Sequence, residues 1–192
     1  MENEALSVTL EVITVLDQLQ IPYLIGGSLA STLHGFSRTT QDCDLVADIR
    51  VEQVPSLVHR LGDRYYLAES AMYDAIRDRS SFNLIHLATM FKVDIFLPKA
   101  RKFDRNQMRN RRQYVVATEP ERTAYIASPE DTILAKLEWY RMGGESSERQ
   151  WRDILGVIQI QGDRLELAYL LQSATDLGVA DLLARALEMG RL

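Results

Sequence analysis

Residues 4–20 carry Leu6, Val8, Leu10, Val12, Ile13, Val15, Leu16 and Leu19 mostly at helical spacing, which predicts a helix. Pro22 then favours extended chain. Tyr23-Leu24-Ile25 reads as a short buried strand that Gly26-Gly27 ends. Ser28 is placed to cap a following helix, Leu29 to His34, and Gly35 to terminate it. Residues 43–49 read as a second strand. Val51 to Leu61 predicts a helix with Pro55 near its first turn, where proline is tolerated. Tyr65 to Leu67 suggests a short strand and Ala71 to Arg77 a short helix. Phe82–Leu87 and Phe91–Phe96 predict paired antiparallel strands joined at 88–90, with Pro98 ending the second. Tyr114–Ala117 and Thr123–Ile126 are further short strands.

The pattern changes at Ser128-Pro129-Glu130-Asp131, where an N-cap serine, a proline at the first helical position and two acids make a strong helix start. Helices are expected over 129–142, 148–160, 164–176 and 179–189, broken at Gly143-Gly144 and Gly162. The expected layout is an α/β part over residues 1–127, with a helical C-terminal region over 128–192 packed against it.

Composition adds limits. The 192 residues are 46% hydrophobic, enough for a real core. No apolar run reaches the ~18 residues of a membrane span. The acidic Met1-Glu2-Asn3-Glu4 is no signal peptide, and the single cysteine, Cys43, rules out an internal disulfide, so a cytoplasmic protein is expected. The net charge of −5 weighs against general nucleic-acid binding, yet Arg101 to Arg112 carries six basic residues and one acid. That run is either a local polyanion patch or a solvated helix face.

Candidate chemistry lies in Gly26-Gly27-Ser28 and in Asp42-Cys43-Asp44, which begins fourteen residues after Ser28. Carboxylates at i and i+2 of a strand point to one face, so Asp42 and Asp44 can converge on Mg2+, a hard cation that prefers oxygen. Cys43 would face the other way and pack inward. Asp94 alternates with Val93 and Ile95, and would complete the set if its strand lay beside residues 43–48. Such a set suits two-metal phosphoryl transfer from a nucleoside triphosphate (NTP). Gly26 and Gly27 let backbone amides approach phosphates, and Ser28 can donate to a phosphate oxygen. Asp48 is read as a bystander. Arg38, just ahead of the acid pair, either reaches substrate phosphate or the acceptor, or closes a turn. His34, His59 and His86 have no metal-ligand spacing and are read as structural. Trp139 and Trp151 are read as core, and Tyr65-Tyr66 carries no assignment.

These residues resemble the nucleotidyltransferase superfamily that includes DNA polymerase beta, whose pattern is a glycine-serine helix turn, an Asp-x-Asp pair and a later strand carboxylate. The resemblance implies a nucleotidyltransferase-type mixed sheet flanked by helices. It also implies Asp42 and Asp44 as ligands of both ions, with Asp94 as third ligand and candidate base; Mn2+ could replace Mg2+. The run from Ser128 through Lys136, Trp139 and Arg141 to Trp151 and Asp153 resembles the bacterial AbiEii-type toxins of type IV toxin–antitoxin systems. In that group a helix lysine and a later aspartate form a fourth motif, matched by Lys136 and Asp153. Lys136 stands amid Ile133, Leu134, Leu137 and Trp139, where a lysine needs a partner such as a triphosphate, or else snorkels to solvent. Asp153 could equally pair with Arg149 or Arg152.

The expected activity is therefore magnesium-dependent transfer of a nucleoside monophosphate to a hydroxyl on an RNA 3′ end, a protein or a small molecule. An antitoxin protein is an expected partner if the toxin resemblance holds, and no membrane association is expected. The alternative is a non-catalytic nucleotide-binding or regulatory module acting with a partner protein.

Overall fold

A computed structural model describes residues 4–37, 39–40 and 42–190. The chain divides into two compact units, residues 1–25 with 40–126, and residues 26–39 with 127–192.

The first unit is built on a seven-stranded mixed sheet. Its strands are β1 (Tyr23–Ile25), β2 (Asp42–Ala47), β3 (Tyr65–Tyr66), β4 (Ser81–His86), β5 (Lys92–Phe96), β6 (Arg112–Thr118) and β7 (Glu121–Ile126). They lie in the order β3-β4-β5-β2-β1-β7-β6. β2 runs parallel to β5 and β1 parallel to β7; the other neighbours are antiparallel. The expected hairpin of residues 82–96 is present as β4 and β5.

Period-2 alternation fixes the faces of the central strands. Cys43, Leu45 and Ala47 are fully buried on one side of β2, as are Val93 and Ile95 on β5. Helix α1 (Glu4–Gln18) packs on that side through Val8, Val12, Ile13 and Leu16, and the Thr9 hydroxyl reaches the Cys43 thiol. The stretch expected as one helix over 51–61 splits into a 3₁₀ turn, Val51–Gln53, and α3 (Val54–Leu61), with Pro55 in the first turn of α3. Helix α4 (Glu69–Asp78) precedes β4.

The basic run 101–112 contains a helix, α5 (Lys102–Asn110), that periodicity alone did not delimit. It buries Phe103 and Gln107, one turn apart, along with Asp104, which receives the Arg101 guanidinium at 2.7 Å.

The second unit is helical, with α2 (Gly27–His34) from the first half of the chain and α6 (Pro129–Met142), α7 (Glu148–Gln161), α8 (Leu167–Asp176) and α9 (Ala180–Gly190). Ser128 caps α6 by accepting from the Asp131 amide. Asp131 is fully buried and accepts from the Tyr169 hydroxyl at 2.6 Å and the Ser128 hydroxyl at 2.9 Å. The α2 terminus meets α7 so closely that a Cβ on Gly35 would lie 2.7 Å from the Val157 amide nitrogen. Only glycine leaves room for that backbone approach. Trp151 is buried as expected, whereas Trp139 is 49% exposed: α6 turns Ile133, Leu137 and Tyr140 inward, and Trp139 lies well around the helix from Leu137.

Candidate functional site

The first unit gathers the three sequence-identified carboxylates. Parallel pairing of β2 and β5 sets Asp42 beside Lys92 and Asp44 beside Asp94. Residues in register on adjacent parallel strands share a face. Asp42, Asp44 and Asp94 therefore lie on one side of the sheet, opposite Cys43 and α1. Each acid is partly exposed, while the residues between them are buried. Asn83 of β4 stands in register with Asp94 and joins the same face. The Thr40 hydroxyl donates to Asp42 Oδ1 at 2.8 Å.

Lys92 also belongs to this face, and sequence reasoning passed over it. Its ammonium lies 2.7 Å from Asp94 Oδ2. The hydrogen bond to Asp94 holds the Lys92 pKa above its ordinary value against partial desolvation, and the charges of Asp42 and Asp44 add to the effect. The signal was available: a lysine two residues before a strand aspartate must share its face. On the opposite face, burial pushes the Cys43 thiol up, and the three carboxylates add to the shift against the Thr9 hydrogen bond.

All three acids offer oxygen on an accessible face, so the donor chemistry fits Mg2+ or Mn2+. Among the described residues, no group of three or more acidic, histidine or cysteine side chains is arranged to hold a metal ion as it stands. Asp94 is engaged by an ammonium instead. Asp48 lies past the end of β2 and pairs with Arg79 at 3.1 Å.

The second unit holds the other candidates. Gly26 is the N-cap of α2, and Gly27 opens the helix with φ +51, a conformation glycine adopts without the Cβ penalty. Ser28 therefore sits inside the first turn rather than at the cap expected for it. The Ser31 hydroxyl lies 3.0 Å from the Ser28 carbonyl and 3.5 Å from Asp153 Oδ2. Lys136 donates to the same Asp153 oxygen at 2.9 Å. The lysine's neighbour is thus Asp153, and both side chains are buried, at 9% and 8% exposure. Arg38 lies outside the described residues.

Two of the three histidines make structural contacts, and His59 is exposed on α3. His34 is buried with Nε2 2.8 Å from the Ala127 carbonyl, and His86 contacts the Thr89 hydroxyl. Tyr65 is buried, bonded to the Val8 carbonyl and Glu11, whereas Tyr66 is exposed. A cavity of about 470 Å3 lies between α1, α3 and the β6–β7 turn, lined by Leu10, Thr14, Arg60, Arg64 and Arg122 among others. None of the candidate residues lines it, and α1 covers the face away from the carboxylates. No helix among the described residues is long and apolar enough to cross a membrane.

The mixed sheet, with acids on its two central parallel strands, is a fold of the nucleotidyltransferase type. Solved structures with this fold include an antigenic nucleotidyltransferase-like protein from Paracoccidioides brasiliensis, with 20% identity over 92% of each chain and a TM-score of 0.54. Lincosamide antibiotic adenylyltransferase LnuA, with lincomycin bound, is 13% identical over 83% of this chain and 98% of its own, with a TM-score of 0.53. ANT(2'')-Ia in complex with adenylyl-2''-tobramycin is 12% identical over 89% of this chain and 95% of its own, with a TM-score of 0.58. No protein-family model matches the chain, and no curated protein matches it.

Proposed function

We propose that this chain transfers a nucleoside monophosphate from an NTP to a hydroxyl acceptor and releases pyrophosphate. The observation that carries this reading is the in-register pairing of Asp44 with Asp94, with Asp42 on the same face. In the proposed reaction the acceptor oxygen bonds to the α-phosphorus. The bond to the bridging oxygen breaks and pyrophosphate leaves. The hydroxyl proton passes to the Asp94 carboxylate. Asp42, Asp44 and Asp94 would hold Mg2+ or Mn2+, which neutralises charge on the triphosphate. Asp42 is steadied by the Thr40 hydroxyl.

Gly26, Gly27 and Ser28 at the start of α2 are the proposed phosphate-binding residues. A helix N-terminus favours anions, and Gly26-Gly27 keeps side chains away from the backbone there. Lys136 and Asp153 act on that segment as positioning residues through Ser31 and the Ser28 carbonyl. The fold neighbours support the reading, since two of them are an antibiotic adenylyltransferase and a protein bound to an adenylylated antibiotic. Lys102, Arg105 and Arg109 lie on the exposed side of α5 and favour an anionic acceptor such as an RNA end. The AbiEii-type resemblance adds a biological setting, a toxin silenced by an antitoxin protein.

A second reading, a nucleotide-binding module without transfer activity, draws on the Lys92–Asp94 bridge, which neutralises one acid internally. One experiment separates the two. The purified chain is incubated with each labelled NTP, Mg2+ and bulk RNA. Label transfer that Asp44→Ala lowers more than about 100-fold supports the enzyme. Nucleotide binding that survives the substitution, with no transfer from any NTP to RNA, protein or aminoglycoside, supports the module.

A further inference from the structure

We propose that Lys92 couples loading of the divalent cation to loading of the triphosphate. Its ammonium holds the cation's place on Asp94 in the empty chain, and the triphosphate receives that ammonium when the ion arrives. The inference rests on the reading of Asp42, Asp44 and Asp94 as an ion-binding set.

The strand register makes a compact array of four side chains. Lys92 stands beside Asp42, and Asp94 beside Asp44, all on one face. Three negative charges surround one positive charge, and the ammonium is already within 2.7 Å of Asp94 Oδ2. An ion that takes Asp94 Oδ2 would sit at about 2.1 Å from it for Mg2+. An ion on that oxygen displaces the ammonium, because two cations on one oxygen repel each other. Leaving costs little: the Lys92 side chain is 44% exposed and ends a flexible four-carbon stem.

Departure alone would leave a lysine beside a divalent cation with its former partner gone. A triphosphate resolves this by giving the ammonium new anionic oxygens. Ion binding and triphosphate binding then help one another through a single side chain, and the help is reciprocal. Lys92→Met removes both roles and so has two effects of opposite sign: the ion alone binds more tightly, and the nucleotide binds more weakly in the ion's presence. Loss of a purely structural lysine would not split in that way.

The test uses the whole chain. Mn2+ affinity is measured by electron paramagnetic resonance without nucleotide. Retention of each of the four labelled α,β-methylene ribonucleoside triphosphates is then measured with Mn2+ in excess. Lys92→Met is expected to raise Mn2+ affinity about tenfold and to weaken retention of the preferred analogue about tenfold, while Lys92→Arg stays within about threefold of the parent on both. Unchanged affinities in Lys92→Met, or a loss of both together, would overturn the coupling while leaving the ion site intact. If the parent binds no Mn2+ with or without analogue, or Asp44→Asn binds it equally well, the ion-site reading itself fails and the coupling with it.

Discussion

The two units each contain a lysine–aspartate pair, and the contrast between them separates a group that can move from one that cannot. Lys92 and Asp94 lie 2.7 Å apart with side chains 44% and 20% exposed. Lys136 and Asp153 lie 2.9 Å apart at 9% and 8%. Distance hardly distinguishes them; burial does. Water can replace either partner of the first pair, so its net contribution is about 0–1 kcal/mol. Neither partner of the second can be abandoned without leaving a charge in a dry interior. That pair is a fixed strut, whereas the first is an exchangeable contact beside two further acids.

The sharpest way to break the comparison is Lys136→Met. It takes the ammonium away from the buried Asp153 carboxylate, and unfolding in urea should show a loss of about 3–5 kcal/mol. Lys136→Met combined with Asp153→Leu should recover most of that loss, because both charges of the buried pair are then gone. A single variant as stable as the parent would mean that the pair is not the strut described.

Alkaline pH offers a test directed at the sheet unit. Burial, reinforced by the Asp17 charge, raises the Tyr23 phenol; burial and then Glu11 raise Tyr65; burial raises the Cys43 thiol. The unfolded chain gives up these protons near the ordinary values of 9.0 for cysteine and 10.0 for tyrosine, while the folded chain keeps them. The unfolded state thus binds fewer protons, and stability must fall as pH rises above 9 through these ordinary values. Each group contributes about 1.4 kcal/mol per pH unit once its unfolded form is ionised. Urea titrations from pH 8 to 11 should show the decline, and Cys43→Ala should make it shallower. Native Cys43 should also resist iodoacetamide at pH 8 and react once the chain unfolds, since only the thiolate is nucleophilic.

The sequence made these regions legible to different depths. The faces of β2 and β5 follow from alternation, so the shared side of Asp42 and Asp44 was readable directly. The alignment of Asp44 with Asp94 was not, because register between strands about fifty residues apart depends on tertiary pairing. Lys92 was overlooked because attention to acids hid a base at the same spacing. The α6 start at Ser128 was readable from its cap, and the need of Lys136 for a partner from its apolar company. That Asp153 is the partner depends on helix packing between α6 and α7, as does the exposure of Trp139. The grouping of α2 with late helices has no local signal; it rests on contacts such as Gly35 against Val157. In α5 the abundance of arginine masked the Phe103–Gln107 turn that the structure buries.

The smallest expected effect is the most discriminating for the exchangeable pair. Lys92→Met removes an ammonium from three carboxylates, yet all these groups reach solvent, so Asp94 can be rehydrated at once. The unfolding free energy should change by less than about 1 kcal/mol, against about 3–5 kcal/mol for Lys136→Met. The sign can be worked out further. Loss of the only positive charge in the four-residue array increases repulsion among the acids, so the change should be a slight destabilisation that salt reduces. Adding Mn2+ should then restore stability to Lys92→Met at lower ion concentration than it stabilises the parent, because ligand binding to the folded state raises its stability by mass action. A large salt-independent loss would place Lys92 among the structural struts and erase the distinction between the two pairs.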